Sequence, residues 1–150
     1  MIAKISTKFN CTDVQLWAEI IRPQSLQYVA APLMYFIPIN KNEPFNEWIV
    51  GKTYKLKIFF LKYIPLGKHD IKVITIDKKS NRIETQESGL LVPTWNHSIW
   101  FNSTNNGLEY TDQIEIKAGI ITFIIWLFAQ IFYRHRQRKW KKLLKREYGS

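Results

Sequence analysis

The chain has 150 residues, of which 46% are hydrophobic and 23% are charged. These proportions are typical of an ordinary globular domain and give no support for long disordered or low-complexity segments. We therefore predict a single domain over residues 1–150. Aromatic side chains make up 15% of the chain, which is more than a core of this size needs. The surplus is expected to line a cavity, face a partner or meet a membrane.

The net charge of +10 would suit a protein that binds nucleic acid, but its distribution argues against this function. Residues 134–146 hold eight of the 22 basic side chains, whereas the first 133 residues carry only +3. The excess therefore belongs to a basic helical C-terminal end that begins at about residue 134 and lacks interleaved stacking aromatics. We expect no nucleic-acid partner.

Cysteine content and hydropathy indicate the compartment. The single cysteine, Cys11, excludes an intramolecular disulfide, and the chain does not open on a secretory signal. Residues 118–133 form a 16-residue apolar stretch, which is short of the roughly 20 residues that span a bilayer. We expect a cytoplasmic protein, with peripheral membrane contact as an open alternative.

Hydrophobic periodicity predicts the elements in chain order. Residues 2–9 alternate as a half-buried strand, and Thr12 with Gln15 forms the sequence signature of a capping box that begins a helix. A second short helix is expected over residues 25–29. Six closely spaced strands follow, and because no crossover helix fits between them they predict an antiparallel meander. The predicted strands are 33–39, 54–64, 71–77, 82–87, 94–102 and 108–117, with a turn at Pro65, Leu66 and Gly67 among their separators.

One long helix is predicted over residues 120–147, with a length of about 42 Å. An apolar stripe runs through both of its halves, so we expect the helix to lie along the sheet. The stripe comprises Thr122, Trp126, Ala129, Tyr133, Arg136, Trp140, Leu143 and Leu144. The first half carries a second apolar face, which is expected to meet a ligand, a second subunit or lipid. This face comprises Ile120, Phe123, Ile124, Leu127 and Ile131.

The order of these elements, together with several short motifs, resembles the START-like ligand-binding superfamily, also called SRPBCC, in an uncharacterised bacterial branch. The motifs are Val14-Gln15-Leu16-Trp17, Pro23-Gln24-Ser25-Leu26, Gln86-Glu87-Ser88-Gly89, Trp95-Asn96-His97-Ser98-Ile99-Trp100-Phe101, Asp112-Gln113-Ile114-Glu115-Ile116 and Phe132-Tyr133-Arg134-His135. The chain departs from the family at Leu90, where proline is frequent, and at Ile116, where an aromatic residue is frequent.

The resemblance implies an α+β helix-grip fold. In that fold a curved antiparallel sheet of six to seven strands, with two short helices after the first strand, grips the long C-terminal helix. It also implies an apolar cavity between sheet and helix that takes a lipid, a polyketide or a similar hydrophobic molecule. Some relatives of this kind are polyketide cyclases or dehydratases.

Alternation along the last two predicted strands puts His97, Tyr110 and Asp112 on mostly apolar faces. A buried histidine beside a carboxylate is suited to general acid or base catalysis, but the two groups also satisfy each other as a structural pair. Arg136 has two interpretations as well, since it either neutralises an inward acid group or packs its stem and extends its head to solvent. His69, His97 and His135 share no ligand spacing, so we expect no metal and no cofactor.

The leading hypothesis is a protein that binds a hydrophobic small molecule between sheet and helix. Two alternatives remain open: a cyclase- or dehydratase-like lyase on the same fold, and a membrane-associated or homodimeric interaction protein that uses residues 118–133. The predicted ligand-binding wall comprises Trp95, His97, Ile99, Tyr110, Asp112, Trp126, Ala129, Gln130 and Tyr133. The candidate catalytic groups are His97, Asp112 and Tyr110.

Overall fold

The computed structural model describes residues 1–149, which form a seven-stranded antiparallel sheet with three α-helices. The strands are β1 (Ile2–Phe9), β2 (Met34–Pro38), β3 (Thr53–Phe60), β4 (Ile64–Asp77), β5 (Arg82–Gly89), β6 (Thr94–Thr104) and β7 (Gly107–Lys117). The helices are α1 (Asp13–Ile20), α2 (Pro23–Ala30) and α3 (Thr122–Tyr148), and a 3₁₀ turn over Gly119–Ile121 precedes α3. The predicted α+β class and long C-terminal helix are confirmed.

The strands β2 to β7 follow one another across the sheet as a meander, and β1 pairs with β7 at the far edge. All neighbouring pairs are antiparallel. Register shifts interrupt the β3–β4 ladder after Ile58 and the β4–β5 ladder after Val73. Such bulges bend and twist a sheet locally, which suits a sheet that curves around a helix.

The two short helices begin at sequence signals of different kinds. Thr12 accepts a hydrogen bond from the Gln15 amide, and the Gln15 side chain accepts one from the Thr12 amide, as the capping-box prediction required. Pro23 is the first residue of α2, so the predicted start at Ser25 was two residues late. Proline is tolerated there because the first amide of a helix has no partner to lose.

The predicted turn at residues 65–67 was wrong. The chain reverses at residues 61–63, where Leu61 and Lys62 adopt left-handed backbone angles without a glycine or asparagine to signal the turn. Pro65 instead lies within β4, paired with Phe59 of β3. The β4–β5 ladder extends only from His69 to Asp77. Pro65 therefore has no β5 residue beside it that would need a hydrogen bond from the backbone N–H that proline lacks.

The helix α3 packs against β1 and β7 along one face. Its buried side chains include Tyr133, Arg136 and Trp140, which lie on the predicted stripe and confirm its direction. The Gln137 side chain donates to the Ile5 carbonyl oxygen at 2.8 Å, which fixes the second half of the helix to β1. No helix within residues 1–149 has the length and apolar character needed to cross a membrane.

Candidate functional site

A cavity of about 370 Å³ lies between the sheet and α3. This volume is within the range of roughly 300–1,000 Å³ that small-molecule sites occupy. Six side chains of α3 line it at helical spacing, from Ile124 to Arg136, and therefore span about 18 Å at 1.5 Å per residue. The remaining walls come from β2 to β6, from α1 and α2 and from the loops after β2 and β5.

Aliphatic and aromatic side chains form most of the lining. The aromatic members are Phe36, Trp48, Phe60, Trp95, Phe128, Phe132 and Tyr133. Trp48 belongs to the loop between β2 and β3, where its ring packs edge-on against Tyr54 at 4.9 Å between centroids. The Tyr54 hydroxyl donates to the Glu47 carbonyl oxygen and accepts from the Ile49 amide, so this loop is pinned to the sheet. The aromatic surplus of the sequence is therefore partly accounted for by the cavity.

A buried polar network stands beside the apolar lining. Asp112 has no exposed surface, and its Oδ1 accepts from Tyr110 at 3.0 Å and pairs with His97 Nε2 at 2.8 Å. Its Oδ2 accepts from Gln137 Nε2 at 3.0 Å. His97 is the member of this network that reaches the cavity wall. The carboxylate thus has a partner for each oxygen, as a buried charge requires.

The electrostatics of the network favour an ionised Asp112. Burial alone would raise the pKa of Asp112, but the hydrogen bond and charge of His97, helped by Arg136 and Gln137, outweigh it and lower the pKa. Burial and the neighbouring Asp112 charge raise the pKa of Tyr110 well above its ordinary value. Tyr110 therefore stays a neutral donor that holds the carboxylate.

A second histidine–carboxylate pair lies on β4 and β5. His69 Nε2 is 2.8 Å from Glu87 Oε2, and Thr85 donates to Glu87 Oε1 at 2.7 Å. Burial would raise the pKa of Glu87, but the bond and charge of His69 prevail and lower it. Opposite His69 in the ladder is Gly89, where a Cβ atom would lie 2.8 Å from His69 Nδ1. Glycine at this position therefore leaves room for the imidazole.

Arg136 brings a positive charge to the cavity wall. Its side chain is only 7% exposed, and its guanidinium carbon lies 4.9 Å from the Tyr133 ring centroid and 5.8 Å from that of Phe132. Burial would lower the pKa of Arg136, but Tyr133 and the carboxylates of Asp112 and Glu87 outweigh it and raise the pKa. The predicted alternative in which the arginine head extends to solvent is wrong, because the guanidinium stays inside.

Four of the nine predicted wall residues line the cavity: Trp95, His97, Ile99 and Tyr133. Trp95 Nε1 donates to the Tyr133 hydroxyl at 3.1 Å, so sheet and helix are joined at this wall. The period-two pattern of β6 identifies the inward face that carries the three strand residues, and Tyr133 lies on the predicted stripe of α3.

The other five predicted residues lie elsewhere. Tyr110 and Asp112 face the same side of the sheet but are sealed where α3 lies directly on β1 and β7. Ala129 is fully buried in the core cluster that includes Ala3 and Ile5, so its small side chain permits close packing instead of leaving volume. Tyr110, Asp112, Trp126, Ala129 and Gln130 therefore lie outside the cavity wall, where the prediction had placed them.

Trp126 and Gln130 have other partners. The indole of Trp126 donates to the Ile2 carbonyl oxygen at 2.8 Å, which directs it to the β1 edge of the sheet. The Gln130 side chain accepts from Arg134 at 2.8 Å on the outer side of α3. Neither residue lines the cavity.

The sequence reasoning missed His69 and Glu87 as cavity residues. The alternation of β4 places His69, Ile71 and Val73 on one face, and that signal would have assigned His69 to the inner side. The predicted strand began at Ile71 and therefore left His69 in a loop. Glu87 belongs to the Gln86-Glu87-Ser88-Gly89 motif, but no partner for it is visible in the sequence.

One end of the cavity is rimmed by exposed apolar side chains. Leu90, Leu91 and Ile124 line it and are 80%, 45% and 65% exposed. Ile124 also belongs to the second apolar face of α3, whose members Ile120, Phe123, Leu127 and Ile131 are all exposed.

Among residues 1–149, no group of three histidine, cysteine or acidic side chains is arranged to hold a metal ion.

Comparison with known proteins identifies the fold but no family. No protein-family model matches the chain, and no protein of curated function matches it. Protein CV1439 from Chromobacterium violaceum has a similar structure, with a TM-score of 0.75, 11% identity and 96% coverage of both chains. Protein NE0264 from Nitrosomonas europaea has a TM-score of 0.75 and 10% identity, with coverage of 100% of this chain and 97% of that one.

A third solved structure, TTHA0849 from Thermus thermophilus, has a TM-score of 0.72 and 5% identity, with 99% coverage of both chains. The alignments extend over nearly the whole length of these proteins. At such low identities the similarity establishes the shared α+β fold alone, because one fold can carry many functions.

Proposed function

We propose that this protein binds a hydrophobic small molecule in the cavity between the sheet and α3. The observation that carries the proposal is a cavity of about 370 Å³ lined mainly by aliphatic and aromatic side chains. Native interiors are close-packed, with few voids larger than a water molecule, so a space of this size is a candidate binding site. The resemblance of the sequence to the START-like superfamily implies the same class of function.

The lining explains which molecules would enter. An apolar ligand gains roughly 25 cal/mol for each Å² of apolar surface that it removes from water. The few polar groups on the wall, among them His97, Glu87 and Arg136, would orient one end of such a molecule. The exposed leucines at positions 90 and 91 give the ligand an apolar path between solvent and cavity.

Native mass spectrometry after mild purification tests this proposal. We expect a co-purifying apolar molecule, or failing that, saturable one-to-one binding of the neutral fluorescent probe N-phenyl-1-naphthylamine. The matched variants are Val73→Trp, which fills the cavity from β4, and Val14→Trp, which adds the same ring at an exposed site. Probe binding that is absent, or that is equal in both variants, would contradict the proposal.

A second candidate function is acid or base catalysis on the bound molecule, as in a cyclase or dehydratase-like lyase. The observation that favours it is a cavity-lining imidazole, His97, supported by the fully buried Asp112 at 2.8 Å. A histidine held by a carboxylate has the geometry for proton transfer at a positioned carbonyl. For a dehydratase, molecules co-purifying with His97→Asn should be heavier by one water than those co-purifying with the unmodified protein. Identical masses would exclude the dehydratase.

A further inference from the structure

We propose that the cavity ligand is an amphiphile with a carboxylate head, such as a fatty acid, and that Arg136 pairs with that carboxylate. This inference rests on the proposed function and narrows it to a class of ligand. Arg136 lines the cavity and is 7% exposed, and its Nε has no hydrogen-bond partner among residues 1–149. Trp140 Nε1 also lacks a partner there, but it lies in a separate cluster of buried side chains with Phe9 and Leu16 and not on the cavity wall.

A buried cation without a hydrogen-bond acceptor is unfavourable, and the planar guanidinium needs oxygen acceptors in its own plane. The Tyr133 and Phe132 rings offer their faces at 4.9 and 5.8 Å, which compensates part of the charge. Ring faces do not replace the oxygen acceptors that the planar fork of N–H donors demands. A carboxylate supplies two parallel acceptors and a full negative charge, so it satisfies both needs.

The carboxylates of the protein itself are already engaged by other donors. Asp112 is held by His97, Tyr110 and Gln137. Glu87 is held by His69 and Thr85. Both carboxylates act on Arg136 through space and favour its charged form, yet neither forms a hydrogen bond with its Nε. A carboxylate in the cavity would offer the Arg136 guanidinium the acceptor that these two groups do not provide.

The lining of the cavity becomes less exposed from one end to the other, which fits an acid that enters head first. Along α3 the lining runs from Ile124, which is 65% exposed, to Arg136, which is 7% exposed. The head would thus lie at the closed end beside Arg136. The apolar tail would extend past Phe132 and Phe128 toward the exposed rim at Ile124, Leu90 and Leu91.

Binding of three amphiphiles with the same tail tests the inference on the unmodified protein. The probes are dodecanoic acid, 1-dodecanol and dodecylamine, measured by isothermal titration calorimetry at neutral pH. We expect the acid to bind at least about 10-fold more tightly than the alcohol, because a charge-assisted bidentate pair replaces a neutral contact. The amine should bind most weakly, because it brings a second cation next to the guanidinium.

Three variants of α3 identify the residue responsible. Arg136→Met should remove the preference for acid over alcohol while affinity for the alcohol stays within about 3-fold. Arg134→Met removes the same charge from the exposed side of the helix, where Arg134 contacts Gln130, and should leave the preference unchanged. Arg136→Lys keeps the charge without the planar fork and should give an intermediate preference.

The outcomes separate this inference from the proposed function. Equal affinity of the unmodified protein for acid and alcohol would overturn the carboxylate inference and leave hydrophobic binding standing. Retention of the preference in a folded Arg136→Met protein would also overturn it. Failure of every probe to bind would contradict the proposed function itself. Because the unmodified protein alone provides the acid-to-alcohol ratio, a poorly folded Arg136→Met protein does not prevent a decision.

Discussion

Replacing Asp112 by asparagine removes the charge at the centre of the buried network while keeping the shape of the side chain. The Oδ1 position can still accept from His97 and Tyr110. The Oδ2 position becomes an NH₂ group that faces Gln137 Nε2 at the present distance of 3.0 Å, so two donors meet. Gln137 cannot turn its amide over freely, because the same Nε2 donates to the Ile5 carbonyl oxygen at 2.8 Å.

The magnitude follows from these contacts. A hydrogen bond to a charged group contributes about 1.5–3 kcal/mol, and breaking a buried ion pair costs about 3–5 kcal/mol. Because Asp112→Asn keeps two of the three contacts and creates no cavity, we expect a loss of about 3 kcal/mol in the free energy of unfolding. For a chain of this length that loss lowers the melting temperature by about 6–12 °C.

Urea denaturation followed by circular dichroism measures the change directly. The midpoint should fall while the slope with denaturant stays constant, since the surface exposed on unfolding is the same. Glu109→Gln, an exposed substitution on the same strand, is the matched control and should leave the midpoint within experimental error. A midpoint for Asp112→Asn equal to that of the control would refute the conclusion that the network holds α3 to β1 and β7.

Three further predictions concern the second histidine pair, acid stability and the thiol. Gly89→Ala should displace His69 from its pair with Glu87, because the new Cβ would lie 2.8 Å from His69 Nδ1. Nuclear magnetic resonance should show that the His69–Glu87 contact is lost while the fold is unchanged. Asp112 and Glu87 have pKa values below their ordinary 3.8 and 4.5. The two carboxylates therefore stabilise the folded protein fully above their ordinary pKa values, and this stabilisation is lost as the pH falls through their lowered pKa values. The free energy of unfolding from urea denaturation should fall between about pH 5 and about pH 2 by up to about 1.4 kcal/mol per pH unit for each carboxylate, and less steeply in Asp112→Asn. Burial raises the pKa of Cys11 to about 11, so the thiol should react with a disulfide reagent at neutral pH only as fast as the protein unfolds, and rapid labelling of the folded protein would contradict its burial.

The sequence predicts the elements of this fold well where one periodicity extends over many residues. The stripe of α3 and the inward face of β6 were both identified, because each pattern repeats for several turns or pairs. The hairpin between β3 and β4 was missed, because Leu61 and Lys62 take left-handed angles that their residue types do not signal. Pro65 can lie within β4 because β5 does not pair with that part of the strand. The extent of this pairing is a property of the whole sheet and is not visible in the local sequence.

The candidate site was predicted only in part for a related reason. Periodicity identifies the face of a strand that points inward, but it cannot tell a covered stretch of that face from an open one. Whether Asp112 is sealed and His97 reaches the cavity depends on α3 lying over β1 and β7 and standing away from β6. The same geometry makes Ala129 a close contact instead of a gap.

Calorimetric binding of 1-dodecanol to the unmodified protein, to Val73→Trp and to Val14→Trp tests the central claim most directly. A neutral apolar probe depends on the cavity and not on the charge of Arg136. We predict one-to-one binding to the unmodified protein and to Val14→Trp, and at least about 10-fold weaker binding to Val73→Trp, whose indole would occupy the cavity. No binding to the unmodified protein, or equal binding to both tryptophan variants, would contradict a hydrophobic ligand site between the sheet and α3.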